Sequence, residues 1–357
     1  MNNVPCVFKK IITCWLSCVC LVHAEDGVSP GIRVAILRDA PSLGKALTEV
    51  CQHEYKGTIR VFKTQKGSYT AVNTLDIEDY LLGVIGREIS PNAPLEALKA
   101  QAIAARSHAL YMASISRDQP YDLVANLSQA YLGKARLHKN VVLAIEITRG
   151  HILHYRGKPI PAYFHTSCGG HTISAISVWP PTCDDGNVQN LQPRLQERGQ
   201  LSGTTKCPWC SASSENKWNA AINVATFLRV FKQAGHQLGG SPWITIAERA
   251  ASGHALKIAI ESETGKLLMP ADKFRAILGY STIQSACFNV DRPCNEDGTP
   301  GDSFIFRGDG YGHGVGLCQL GALAMAEKGA RCDSILAYYF PNCRIRSYVL
   351  DNLVSAR

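Results

Sequence analysis

Residues 31–40, GIRVAILRDA, alternate apolar and polar side chains around a β-branched centre. That period of two predicts a strand with one face on a core. GTIRVFKT (57–64) and GSYTAVNT (67–74) repeat the pattern across a glycine-bearing turn and predict two more strands. The period then lengthens. Asp76, with Asp79 three residues on, stands where a helix N-cap belongs, and the following apolar positions predict a helix through about Arg87. A second helix is expected from near Asn92-Ala93-Pro94 to about Ser114, because proline costs little in a first turn. In it Ala97, Ala100 and Ala104 recur at helical spacing and would let a neighbouring backbone come close. Lys99, Ile103, Arg106 and Leu110 lie on a different face.

Residues 139–167 predict a helix, a glycine turn and two strands. From about Trp179 to Lys206 the chain is polar and broken by proline and glycine, as a loop or small insertion is. Residues 215–235 pattern as an amphipathic helix, 255–269 as a hairpin around Thr264-Gly265, and 271–279 as a short helix. No internal repeat and no regular βαβ alternation is present. The expectation is therefore an α+β fold of mixed sheets with packed helices.

Glycine occupies positions 308, 310, 312, 314 and 316 of RGDGYGHGVGLCQLGALAMAEKG (307–329). In an extended chain one face would be bare backbone, and the other would carry Asp309, Tyr311, His313, Val315 and Leu317. The bare face suits either close approach of a ligand or a tightly packed structural strand. The run lacks the GK[ST] ending of a phosphate-binding loop. Gln319 to Lys328 predicts a helix that Gly329 ends.

The 357 residues, 46% of them apolar, allow one large or two intimate domains. A formal charge of +8, spread along the chain, is no nucleic-acid footprint. Lys9 and Lys10, the apolar IITCWLSCVCLV and Val22-His23-Ala24 predict a secretory signal over 1–24. A lipid anchor at Cys18 or Cys20 fits less well, because the residues before each match a lipobox poorly. No other stretch is long enough to span a membrane, so the mature chain is expected to be soluble in the periplasm or cell-wall space. The expected division is 25–74 for N-terminal strands, 75–178 for a core, 179–245 for a loop and insertion, and 246–357 for a C-terminal part.

Of 14 cysteines, ten follow the signal. An even number in an exported chain allows disulfides, with Cys287/Cys294 and Cys332/Cys343 the easiest local bridges, or free thiols. Cys168 with His171 and Cys207 with Cys210 have zinc-ligand spacing, C-x2-H and C-x2-C. Disulfides or a redox-active pair are the competing use. His165 is a spare ligand, and Cys183 has no assigned role.

Glu88 closes an apolar run two residues before Ser90 and Pro91. It is either a helix-end carboxylate paired with Arg87 or Arg106, or an acid desolvated against Val84 and Ile85 with its pKa raised. No second acid has a comparable setting: Asp309 is the nearest candidate, and Asp79 and Glu96 pattern as capping or helix-surface groups.

The motifs DYLLGVIGREI…PLEALKAQAIAARSHAL, Gln129-Ala130-Tyr131, AYFHTSCGGHT and GYGHGVGLCQLGALAMAEKGARCDSILAYYFPNCRI resemble the SpoIID family of exported bacterial proteins. The resemblance runs from about residue 31 to 346, with the middle loop poorly matched. Asn126-Leu127-Ser128 before Gln129, and Leu320 in place of an aromatic, depart from the family pattern. The resemblance implies a groove for peptidoglycan glycan strands and lytic transglycosylation between N-acetylmuramic acid and N-acetylglucosamine, giving 1,6-anhydro ends. Glu88 would act as general acid and then base. Arg106 would hold Glu88 or the glycan, and Tyr163, Ser167, Tyr311, His313 and Gln319 would line the groove. His313 is also an alternative acid/base or a satisfied core histidine. The resemblance further implies a closed, structural zinc on Cys168, His171, Cys207 and Cys210. Two other classes stay open: a non-catalytic activator of an N-acetylmuramoyl-L-alanine amidase, and a zinc hydrolase, against which a full protein ligand set argues.

Overall fold

The computed structural model describes residues 31–125, 129–133, 137–179, 205–211 and 216–348. The signal segment, Asn126-Leu127-Ser128 and Cys183 lie outside them. The structure is α+β, with helices and strands in several small mixed sheets.

The chain opens with β1 (Gly31–Ala40), α1 (Leu43–Val50), β2 (Thr58–Lys63), β3 (Tyr69–Asp76), α2 (Ile77–Glu88), α3 (Leu95–Ile115) and β4 (Leu123–Val124). The strands form one sheet in the order β2-β3-β1-β4, antiparallel except where β4 joins β1. Asp76 caps α2 as its position predicts: its carboxylate accepts from Glu78 N at 2.7 Å and Asp79 N at 3.4 Å. From Ala97 to Tyr111 every residue of α3 but Lys99 is buried. One side of the helix packs into a cluster with Ile32, Leu81, Val84 and Ile85. Ala100, Ile103 and Ala104 pack into a second cluster with Leu317 and Leu336. Both faces singled out in the sequence are therefore interior, and the alanines give the neighbouring backbones room.

Next come α4 (Lys139–Ile147), β5 (His151–Tyr155), β6 (Lys158–Pro159), β7 (Phe164–His165), α5 (Ala175–Val178) and α6 (Pro208–Ser211). A second body follows, made of β8 (Lys217–Asn223), α7 (Val224–Gln233), β9 (Trp243–Arg249), β10 (Ala255–Ser262), β11 (Gly265–Pro270), α8 (Ala271–Leu278), β12 (Phe288–Asp291) and β13 (Ser303–Asp309). Its two three-stranded sheets, β9-β10-β11 and β8-β13-β12, enclose Phe227, Phe231, Phe274, Phe304 and Phe306. The boundary expected at 245/246 thus cuts through one core, because β8 pairs with β13 across it. The helix expected over 215–235 is also corrected. Its first part is β8, where Trp218 and Ile222 face inward, and Asn223 caps the shorter α7 by accepting from Ala225 N at 2.9 Å.

The chain then returns to the first body through β14 (Leu317–Cys318), α9 (Gln319–Glu327), α10 (Cys332–Tyr339) and β15 (Arg344–Ser347). β14 lies parallel to β7, with Leu317 opposite Phe164 and Cys318 opposite His165, while β15 pairs with β5. The C-terminal elements therefore build the same core as α3. The glycine run is not the extended strand its alternation predicts. Strand β13 ends at Asp309, and Gly310, Gly312, Gly314 and Gly316 all have positive φ. Their missing side chains admit the protein's own residues. A Cβ on Gly316 would lie 2.2 Å from Tyr163 O at φ 76°, and one on Gly312 2.7 Å from His165 Cβ. Of the two sequence readings, close internal packing is the one these contacts support. Gly316→Ala is expected to cost about 2 kcal/mol or more of stability, read by denaturant unfolding, since left-handed backbone and a backbone clash add.

Candidate functional site

Glu88 is the last residue of α2 and is part-buried. Val84 and Ile85 of the preceding turn are fully buried. Its Oε1 accepts from Ala130 N at 2.5 Å. That donor is held by its neighbours. Tyr80 Oη donates to Gln129 Oε1 at 2.7 Å, and Gln129 Nε2 donates to Ala105 O of α3 at 3.2 Å. Tyr131 Oη donates to Asn73 Oδ1 at 2.6 Å. Gly83 makes room for the Tyr131 ring, since a Cβ there would lie 2.6 Å from ring atom Cε2. The tripeptide Gln129-Ala130-Tyr131 is thus a clamp that aims one backbone N–H at the acid. The other partner is the Gln319 side chain, at the start of α9. Gln319 is buried, and its Nε2 lies 3.4 Å from Gln101 Oε1 on α3. Burial pushes the Glu88 pKa up, and the bonds from Ala130 and Gln319 pull it only partly back.

A second group gathers around Tyr163. Its ring meets those of His108, Trp179 and His313 at centroid distances of 5.3, 4.9 and 5.9 Å. His313 accepts from Val315 N at 3.0 Å on Nδ1 and also bonds the backbone of Phe164. Burial, with His165 and Arg275 nearby, holds its pKa well below the ordinary histidine value. Half-buried, with Nδ1 engaged by a backbone N–H and the neutral ring favoured, His313 is held as a satisfied structural histidine would be. His108 and His165, both buried, have pKa values lowered to about 4 by burial. Trp179 donates from Nε1 to Asp272 Oδ2 of the second body at 3.2 Å. Sequence reasoning missed His108 and Trp179; no spacing signals either, because their partners lie tens of residues away.

The remaining expected lining residues divide. Tyr311 is 46% exposed and open to a ligand. Its backbone pairs with Ser167 in both directions, at 2.8 and 3.0 Å. Ser167 is buried, and its hydroxyl donates to Asn216 Oδ1, so it is a packing contact and not a surface group. Arg106 is also corrected. It is 1% exposed and grips Glu78, with Nε to Oε1 at 3.0 Å and Nη2 to Oε2 at 2.7 Å. Its Nη1 donates to His151 O at 3.0 Å. A guanidinium held this way braces α2, α3 and β5 and is turned away from Glu88.

The cysteines form a different cluster from the one expected. Cys168, Cys207, Cys210 and Cys318 are all buried, with their sulfurs within 4.8 Å of one another. His171 stands outside it. Gly169 and Gly170, both at positive φ, turn the chain after Cys168, and His171 bridges Lys206 through its backbone instead. Cys318 takes the fourth corner because the β7–β14 ladder sets it opposite His165. That contact spans about 150 residues of chain, beyond any local spacing rule. Cys287, Cys294, Cys332 and Cys343 are free thiols, so neither local bridge forms.

Two family models match the chain: one for a stage II sporulation protein over residues 65–155, and one for a domain of unknown function over 181–316. An uncharacterized protein of Brachyspira hyodysenteriae is 32% identical over 298 residues, covering 83% of this chain and 73% of the relative. The stage II sporulation protein D of Bacillus subtilis is 29% identical over 304 residues, covering 81% and 78%. The amidase enhancer of the same organism is 27% identical over 297 residues, which is 75% of this chain and 40% of that longer protein.

Proposed function

The chain belongs to the stage II sporulation protein D family, and on that premise we propose that it cleaves peptidoglycan glycan strands by a lytic route. Its place is in cell-wall chemistry, outside the cytoplasm, with residues 1–24 as the export signal. No helix among the described residues is long and apolar enough to cross a membrane.

The carrying observation is the setting of Glu88. It is a single part-buried carboxyl group with a raised pKa, held by one backbone N–H and one amide. Such a group keeps its proton to higher pH than an ordinary glutamate and can give it to the glycosidic oxygen leaving C1 of N-acetylmuramic acid. Two other candidate acids are engaged elsewhere: Asp79 binds Lys56 at 2.6 Å, and Glu96 binds Lys99 at 2.7 Å and Cys332 N. With one acid, the sugar's own 6-hydroxyl attacks C1, its proton passes to the Glu88 carboxylate, and a 1,6-anhydro ring closes without water. Tyr311, exposed beside Ser167, offers a flat ring for a sugar face.

Peptide-stripped glycan strands incubated with the protein in oxygen-labelled water test this. Ends lighter than a hydrolysis product by one water, and free of label, are expected. Labelled reducing ends would instead mean hydrolysis. The kinship with an amidase enhancer favours one second reading, a binder that speeds an N-acetylmuramoyl-L-alanine amidase. Intact strands together with faster amidase in a mixture would establish that reading over the first.

A further inference from the structure

We propose that Tyr280 of the second body forms, with Tyr311, a sugar-stacking platform that holds the glycan strand but takes no part in breaking the bond. The proposal rests on the glycan-strand reading above. The Tyr280 ring is 48% exposed, yet it is firmly held. Gly279 ends α8 at φ 92°, and Thr282 N and Ile283 N both donate to Gly279 O at 3.0 Å. Tyr280 therefore sits inside a tight, hydrogen-bonded turn. The guanidinium of Arg275 lies over its ring, 4.9 Å from the centroid. The Tyr280 hydroxyl bonds the Asp272 carboxylate. Arg275 is buried and fixed in its turn: Nε donates to Ile283 O at 3.0 Å, Nη2 to Gln284 O at 2.8 Å, and Nη1 lies 3.4 Å from Asp272 Oδ1.

The same two charged residues reach across to the first body. Gln284 O accepts from Arg275 Nη2 and from Gly312 N, each at 2.8 Å, and Gly312 directly follows Tyr311. Arg275 interacts electrostatically with both tyrosines. Asp272 Oδ2 accepts from Trp179 Nε1, whose ring meets those of Tyr163 and His313. Rings from both bodies thus stand on one Asp272–Arg275 pair. A water-facing tyrosine fixed this way loses little freedom when a flat partner settles on it. A pyranose offers the ring its C–H face and the ring's edge its hydroxyls. Beside Tyr280 stand Ser281, Thr282 and Gln284, exposed or half-buried and all uncharged. They suit the hydroxyl and acetamide groups of an amino sugar better than a charged peptide. The partners of Glu88, Ala130 and Gln319, belong to the first body, so the second body would supply affinity and not chemistry. That gives a task to the segment matched by the model for a domain of unknown function.

The test titrates peptide-stripped glycan strands into the full mature chain by calorimetry, with Glu88→Gln present to keep the strands whole, and measures kcat and KM with Glu88 restored. Tyr280→Ala should weaken binding about 3- to 10-fold and raise KM by the same factor, with kcat unchanged. Tyr280→Phe keeps the ring and loses only the bond to Asp272, so it should stay within about twofold of the parent. Unaltered affinity in Tyr280→Ala would overturn the proposal. If that variant also fails to speed an amidase that the parent speeds, the patch is a protein-docking site instead. A Phe variant as weak as the Ala variant would overturn it too, by making Tyr280 a strut held for its hydroxyl. The two readings fail separately. A chain that binds strands through Tyr280 without cutting them keeps the platform and loses the lytic activity, whereas one that neither binds nor cuts loses both.

Discussion

Glu88→Gln is expected to slow strand cleavage about 10²- to 10⁴-fold, the span that a positioned general acid and base contributes. Glutamine keeps the shape and can still accept from Ala130 N, but it has no proton to give the leaving oxygen. Initial rates of anhydro-end formation measure the loss. The same acid sets the pH dependence. Burial raises the Glu88 pKa, so the competent protonated form persists above the ordinary carboxyl range and the rate falls as pH rises through the raised value. Stability follows with a defined sign. A carboxyl group whose folded pKa exceeds its unfolded pKa contributes fully below the unfolded value, and that contribution is lost as pH rises through the folded one. Above the raised value the charged Glu88 weakens the fold, and there Glu88→Gln should unfold at an equal or higher denaturant concentration than wild type. The gap should close at pH values below the ordinary glutamate range. A Gln variant that cuts strands at the wild-type rate would remove Glu88 from the reaction.

The largest expected effect on stability belongs to Arg106. Removing one partner of a buried ion pair leaves an uncompensated charge, which costs about 3–5 kcal/mol. Arg106→Ala should lose about that much in denaturant unfolding, because Glu78 would keep only the distant Gly150 N–H at 3.3 Å. Glu78→Gln should be nearly as harmful, leaving the guanidinium buried with His151 O as its main acceptor. The double variant Glu78→Leu/Arg106→Met removes both charges and should recover much of the loss. It should also keep a near-normal KM for glycan strands, because this pair braces helices and touches no sugar. A large KM increase with stability unchanged would restore Arg106 to the binding surface.

Much of the first body could be read from the chain. The alternation of 31–40, the Asp76 cap and the alanine spacing of α3 are local signals, and each reports the contact it makes. Glu88 stood out for the same reason: a carboxylate at the end of an apolar run has few bland explanations. The misreadings arose where partners are distant. Arg106 has no acid within a turn on its own helix, and its carboxylate, Glu78, comes from the start of α2 and not its end. Residues 217–223 have helical spacing by chance, and only the ladder with β13 makes them a strand. The glycine alternation carried a real signal, close approach, attached to the wrong backbone, since φ is not written in residue spacing. The motif around Cys318 hides its ligand-like placement, and His171 has only its nearness to Cys168 in sequence to recommend it.

The second body begins and ends on one rung: Lys217 lies opposite Asp309 where β8 meets β13. A cassette whose two ends adjoin can grow, shrink or be exchanged without rerouting its host. The touches that bind it to the host include Asp272 on Trp179, Ser285 beside Gly312, His254 against Gly314, and Ala250 and Leu256 packed with Ile173 and Val315. Evolution can therefore restyle the cassette's outer surface for a new wall architecture, provided this seam survives, while the carboxylate and its cradle are inherited intact.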